Sequence, residues 1–519
     1  MATSAGTTIS HGSQRGAEGP PPMLPGDAGR AGPPTPAAEL RAPIPRAAPS
    51  PQERPAYDRL NAVDRQFLIY ENAAVPMHIG GAGILEAGPL RQPDGALDIA
   101  RIRSFIESRL PRIPRYRQVV AFTPLGRHIW VDDPHFDIQY HVRHTSLPRP
   151  GGEAELKALC GRLFSQGLDR SKPLWEVWIA DGLEGDRFAF VSKVHHAMVD
   201  GVRSIDLVEA ILTPDPIAEF EPARPWKARP RPSASMLALE DLGRAARVGI
   251  GFGSQLPELW REALQPGSQL RLAVKAAARL WYQTIRTPSE TPLNRPIGAH
   301  RRYDWIDTPL AEVGAVRRAL GGSVNDVVLA TMTGGVRKFL HHRGIEPRGL
   351  DFRVMVPVSI ASRTGRSDQL GNRLSAWMVP LPVGEADPRR QLELVRQTTT
   401  RLKEERNALG FLLWTQLSGL APAQLLWLGS ELMWRSLPCN MVVTNVPGPE
   451  RTLHLLGARM LSYRGTLPLT NYLGLATAIL SYQGTLQYGF TGDWDLVPDL
   501  DVFARCVSQA FADLRAAVP

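Results

Sequence analysis

The stretch His195-His196-Ala197-Met198-Val199-Asp200-Gly201 decides how this chain is read. It follows Phe188-Ala189-Phe190-Val191-Ser192-Lys193-Val194, an apolar and β-branched run with the character of a strand. It precedes Val202 to Leu212, where Val202, Ile205, Val208, Ile211 and Leu212 recur at helical spacing. Two imidazoles therefore stand at a strand-to-helix junction, where a rigid scaffold aims loop side chains. Imidazole has an ordinary pKa of about 6.5 and accepts a proton near neutral pH. His196 and Asp200 are spaced H-x-x-x-D, and Gly201 frees the backbone for a tight turn. The pattern points to His196 as a general base in a loop held by Asp200. Two His and one Asp are also metal-ligand types. No His-Glu-x-x-His or Cys/His cluster accompanies them, so no metal is expected.

His-His-x-x-x-Asp-Gly resembles the signature of the wax ester synthase/diacylglycerol acyltransferase family. That family sits within the CoA-dependent acyltransferases, which include chloramphenicol acetyltransferase and peptide-synthetase condensation domains. The wider group has one obligatory His, at the position of His196, and the extra His195 points to the lipid branch. Further family-like stretches occur in order along the chain: Leu60-Asn61-Ala62-Val63-Asp64, Pro76 to Gly80, Pro173-Leu174-Trp175, Thr291 to Pro296, Asn325-Asp326, Met441 to Pro449, and Asp493-Trp494-Asp495. The likeness runs from about Leu60 to about Leu514. It implies an α/β (α+β) protein of two chloramphenicol-acetyltransferase-like lobes. Their mixed sheets would be covered by helices and joined by a helical crossover linker, with an active-site tunnel at the seam.

The expected boundaries are a Pro/Gly/Ala-rich disordered tail over 1–55, an N-terminal lobe over 56–214, a Pro-rich and helical linker over 215–295, and a C-terminal lobe over 296–519. At 519 residues the chain exceeds one typical domain, and with 43% apolar residues it can bury two cores. The net charge of +9 suggests an anionic partner: a phospholipid surface, CoA phosphates or nucleic acid. Nucleic acid is disfavoured because no zinc finger, RNP or helix-turn-helix signature is present. Three scattered cysteines, Cys160, Cys439 and Cys506, make neither a disulfide framework nor a zinc site and suit a reducing interior. No charged-then-apolar leader opens the chain.

Arg271, Lys275 and Arg279 recur every four residues beside Leu270, Val274, Leu280, Trp281 and Ile285, a composition suited to an anionic membrane interface or to a crossover helix. Ala408 to Ser430 is uncharged but broken by Gly, Pro, Gln and Ser, so it reads as helices lining an acyl channel or dipping into lipid rather than a span. Phe136 to Val142 reads as a strand. His78 reads as a packing residue near the seam or a second site histidine.

The expected reaction is O-acyl transfer of a long chain from acyl-CoA, as co-substrate and without a separate cofactor, to diacylglycerol or a long-chain alcohol. His196 is the expected base, His195 its support, Asp200 a loop-holding group and Gly201 the turn. Asn325, Asp326 and Trp175 are candidate substrate contacts, Asn325 through its amide and Trp175 as a tunnel wall, though Trp175 reads equally as a core tryptophan. Asp326 reads equally as a helix cap. Arg353 and Arg373 are candidate partners of Asp200. There is no Gly-x-Ser-x-Gly elbow and no Cys beside the histidines, so no covalent acyl-enzyme is expected. The competing readings are an acyltransferase acting on another lipid or polyketide alcohol, and an inactive lipid-surface binding protein. The expected location is cytoplasmic, peripheral to the inner membrane or lipid droplets.

Overall fold

The computed structural model describes residues 57–199, 204–217, 219–244, 246, 288–359, 374–404 and 439–518. The tail over 1–55, the basic helix over 270–285 and the uncharged run over 408–430 lie outside these residues. Residues from Pro55 onward form one compact unit.

The first half opens with β1 (Tyr57–Arg59), α1 (Ala62–Tyr70), β2 (His78–Glu86) and α2 (Ile99–Arg109). β3 (Gln118–Phe122) and β4 (His128–Asp132) form a hairpin. α3 (Ile138–His141), β5 (Val142–Ser146), α4 (Glu153–Ser165), β6 (Trp175–Leu183), β7 (Arg187–His195) and α5 (Ser204–Ile211) follow. The expected strand over Phe136 to Val142 is half helix. The Asp137 carboxylate accepts the Gln139 N–H at 2.9 Å and starts the turn of α3, so extended chain begins only at Val142. After residues 213–232 the chain forms a helix over 234–244, α6, which lies on the small sheet β1-β4-β3. Leu237 packs there with Tyr57, Val119, Ile129 and Val131.

The second half contributes β8 (Arg301–Pro309), α7 (Leu310–Leu320), α8 (Val324–His342), β9 (Phe352–Ser359), β10 (Leu374–Leu381) and α9 (Pro388–Glu404). It ends with β11 (Met441–Val446), β12 (His454–Leu455), β13 (Ala458–Thr466), β14 (Leu475–Tyr482), β15 (Thr485–Asp493) and α10 (Leu500–Ala516). Two six-stranded mixed sheets result, in the orders β12-β13-β2-β7-β6-β5 and β10-β9-β11-β14-β15-β8. The fold is the two-lobed α/β arrangement expected from the motifs.

The lobes are not divided at one point in the chain. β12 and β13 belong by sequence to the C-terminal half, yet β13 pairs antiparallel with β2 and completes the first sheet. This exchange fastens the halves. The Tyr303 hydroxyl of β8 donates to the carbonyls of Arg464 and Gly465 in β13, at 2.8 and 2.9 Å. A Cβ at Gly489 of β15 would stand 1.9 Å from the Gly465 oxygen, so only glycine admits that approach. α4 lies between the first sheet and β8, where Phe164, Cys160 and Leu156 share a cluster with Tyr303 and Trp305. Tyr303→Phe leaves two buried carbonyls without their donor. It should lower unfolding stability by about 2 kcal/mol, read as a shifted denaturant midpoint.

β7 sits inside the first sheet, between β2 and β6. Phe188, Ala189, Phe190 and Val191 are wholly buried on both faces, as its nearly unbroken apolar sequence requires. Each buried Phe contributes roughly 1.5–3 kcal/mol, which makes the strand a stiff base for the residues at its end.

Candidate active site

β7 ends at His195, and the chain enters a single helical turn over His196–Met198. The His195 Nδ1 accepts the Ala197 N–H at 3.0 Å and so caps that turn. An accepting Nδ1 carries no proton, so the ring's proton is on Nε2. Nε2 faces Glu71 Oε2 at 3.5 Å, an N–H beside a carboxylate without the alignment of a hydrogen bond. His195 is fully buried. It therefore braces the turn rather than meeting a ligand.

Glu71 caps the C-terminus of α1 and joins four segments. Its Oε1 accepts the Met77 N–H at 3.1 Å, and its Oε2 accepts the Arg170 Nε–H at 2.9 Å. Burial alone would raise this carboxyl. His195, Arg170 and the Met77 N–H outweigh burial and hold it at about 2.

His196 is held from both sides. Its N–H donates to the Met77 carbonyl at 2.8 Å, and the next residue is fixed by His195. Its ring stacks on Phe67 of α1, with centroids 3.8 Å apart and planes 24° apart. The residue is half-buried rather than sealed, and its Nδ1 is the enclosed atom, without a hydrogen-bond partner among the described residues. Burial pushes the ring's pKa down to about 4; its own carbonyl opposes this, and His195 lowers it further. The imidazole is thus neutral through the physiological range.

Lys193, two residues before His195, is buried. It donates to the Gln166 carbonyl at 3.0 Å and lies 3.3 Å from Glu176. His78 pairs across the sheet with His195. It is buried near Phe164, and burial, with Lys193 next, holds its pKa well below 6.5. It is an interior packing residue. Among the described residues no three His, Cys, Asp or Glu side chains converge as a metal site.

The other candidates are less alike. Asp200, Gly201 and Arg373 lie outside the described residues. Trp175 does not wall a tunnel: it is 1% exposed, stacks on His141 with centroids 4.6 Å apart, and donates its indole N–H to the Tyr116 carbonyl at 2.8 Å. Asp326 is not a free substrate contact either. Its Oδ2 accepts the Ser323 N–H and hydroxyl, each at 2.7 Å, and its Oδ1 accepts the Thr399 hydroxyl at 2.7 Å. It closes a capping box at the start of α8. Asn325, its neighbour, is half-buried, and its amide makes no hydrogen bond among the described residues. Arg353 is engaged with Asp351, its Nε–H donating at 2.9 Å, which weakens its claim on Asp200. The residues that sequence reading missed are Phe67 and Glu71, whose spacing from the histidines carries no motif.

Residues 60–328 match the wax ester synthase/diacylglycerol acyltransferase catalytic domain, and residues 370–515 match the C-terminal domain of the same family. The chain is 33% identical over 470 residues to "Probable diacyglycerol O-acyltransferase tgs1" of Mycobacterium tuberculosis, covering 88% of this chain and 96% of the relative. Among solved structures, the wax ester synthase/diacylglycerol acyltransferase of Marinobacter aquaeolei superposes with a TM-score of 0.64 at 23% identity, over 89% of this chain and 99% of that one. The starter condensation domain of a rhizomide synthetase, solved with C8-CoA and Leu-SNAC, superposes with a TM-score of 0.54 at 12% identity, over 89% and 95% of the two chains. The chain belongs to the wax ester synthase/diacylglycerol acyltransferase family.

Proposed function

We propose that the chain transfers a long acyl group from acyl-CoA to the free hydroxyl of diacylglycerol, giving triacylglycerol, and that long-chain alcohols are its second class of acceptor. The observation that carries this reading is a neutral, half-buried His196 fixed at the end of a rigid strand, in a chain of this family. Nδ1 is enclosed, which leaves Nε2 as the atom available to a substrate. Nε2 takes the proton of the acceptor hydroxyl as its oxygen attacks the thioester carbonyl. The C–S bond breaks, and the CoA thiolate leaves with the proton from Nε2, restoring the base. A positioned general base contributes about a hundred- to ten-thousand-fold, and orientation of the two substrates supplies much of the rest. No covalent acyl-enzyme and no separate cofactor are needed. Asp200 is assigned the loop-holding role and Gly201 the turn, and Asn325 offers an amide donor to a substrate carbonyl.

Contact with lipid is peripheral in this reading. Among the described residues no helix is long and apolar enough to cross a membrane. Phe122 and Leu125 on the β3–β4 hairpin and Leu239 and Leu242 on α6 are exposed, and the chain carries a net charge of +9, a combination that favours an anionic lipid surface. The location that follows is cytoplasmic, against the inner membrane or lipid droplets.

Purified protein given labelled palmitoyl-CoA with diolein, hexadecanol or no acceptor, followed by lipid separation, tests the function. Labelled triacylglycerol is expected, with wax ester as the lesser product. Free label with neither ester would sink the reading. The pH profile checks the base. His196 must be unprotonated to act, and its pKa lies near 4. The acid limb of kcat/KM should therefore fall near pH 4 and not near 6.5. A limb centred at 6.5 would mean that the ring is not in this environment.

A further inference from the structure

At the C-terminal end of α4, apart from the contacts that hold the histidine turn, α4, the start of β8 and the Trp494 corner after β15 enclose a recess of about 800 Å³. Its cations are not equivalent. Lys157 is neutralised by Asp304 at 2.7 Å, and Arg301 lies 3.6 Å from Asp493. Arg162 and Arg302 line the recess and pair with no carboxylate among the described residues. The Arg302 Nε–H donates to the Trp494 carbonyl at 3.2 Å, and its guanidinium lies 3.8 Å from the centroid of the Trp494 ring. Trp494 is nonetheless 47% exposed. A half-exposed indole beside two guanidiniums that no described carboxylate neutralises offers an aromatic surface for a base and two forks for phosphate oxygens.

The recess is near the histidine turn. Gln166, on its rim, gives its carbonyl to Lys193. Lys193 lies two residues before His195 on β7, about 7 Å along a strand. The pantetheine arm of CoA has the bond count of four extended residues, about 14 Å. A nucleotide seated here therefore leaves its thioester within reach of His196.

We propose that this recess holds the phosphorylated adenosine end of the acyl-CoA donor, with Arg162 and Arg302 on its phosphates and Trp494 against its base. The proposal rests on acyl-CoA being the donor. The test is a titration of the full-length protein with free CoA, as wild type, Arg162→Glu, Arg302→Glu and, as a charge control far from the recess, Arg459→Gln. Each recess variant should weaken CoA binding roughly tenfold or more, the loss of a charge-assisted phosphate contact, while the control binds as wild type. The preference for palmitoyl-CoA over palmitoyl-pantetheine, which lacks the nucleotide, should collapse in the same two variants. CoA affinity that changes less than about twofold in both would overturn the proposal. So would an equal loss with palmitoyl-pantetheine, or a loss of anionic-vesicle binding with CoA binding intact, which would make the recess a lipid-headgroup site. The titration requires no turnover, so a wild type that binds CoA but transfers no acyl group would count against the proposed reaction and not against the recess.

Discussion

His196→Ala should abolish nearly all acyl transfer while leaving a folded protein. The expected fall in kcat/KM is about a hundred- to ten-thousand-fold, the contribution of a positioned base. The fold should survive because the contact that fixes this residue is backbone: its N–H bonds the Met77 carbonyl whatever the side chain. The substitution removes the stack on Phe67, worth about 1 kcal/mol. Thermal melting and far-UV circular dichroism should therefore change little while triacylglycerol formation from labelled palmitoyl-CoA disappears. Transfer retained at more than a tenth of the wild-type rate, in a protein that melts normally, would remove His196 from the base role.

The sequence exposed the histidine turn because its parts are local. A nearly continuous apolar strand, two imidazoles and a helical repeat lie within 25 residues of one another, and each has its own periodic signal. The signals of α4 and α8 are local in the same way: apolar residues recur along each, and Ser323 caps the start of α8. β13 was not legible. Its Tyr463-Arg464-Gly465 places a polar tyrosine, an arginine and a glycine in a strand that pairs with β2 on one edge and lies against β15. Those residues answer to the seam between the halves and break the alternation that marks a strand. Trp175 could not be decided for a related reason. An indole beside a site motif suits a ligand wall or a core equally, and only its tertiary neighbours, His141 and Tyr116, show it to be core. Phe67 and Glu71 were invisible because they support the site from a helix remote in sequence.

Glu71→Gln tests that support and should have the second-largest effect. The carboxylate holds Met77, whose carbonyl holds His196, and it faces His195, whose ring caps the turn on the other side. Glutamine keeps the size and one oxygen for the Met77 N–H. It removes the charge that faces His195 and Arg170. The carboxyl is held at about 2 in the fold against an ordinary value of 4.5, and it is nearly enclosed, so its ionised form stabilises the protein by roughly 3 kcal/mol at neutral pH. A depressed carboxyl contributes fully above its unfolded value and loses that contribution as pH falls through the folded one. The stability gap between wild type and Glu71→Gln should therefore be constant above about pH 4.5 and narrow steadily as the pH falls from there toward 2. Denaturant unfolding of both proteins from pH 7 to pH 3 reads this directly. Activity gives a second measure. With the turn loosened, kcat should fall about tenfold or more while KM for acyl-CoA moves little, because the residue orients the base and does not touch the donor. A variant that loses stability with the stated pH dependence but keeps wild-type kcat would make Glu71 a structural brace alone. A variant whose stability gap does not narrow below pH 4.5 would show that its carboxylate is not ionised against His195 and Arg170.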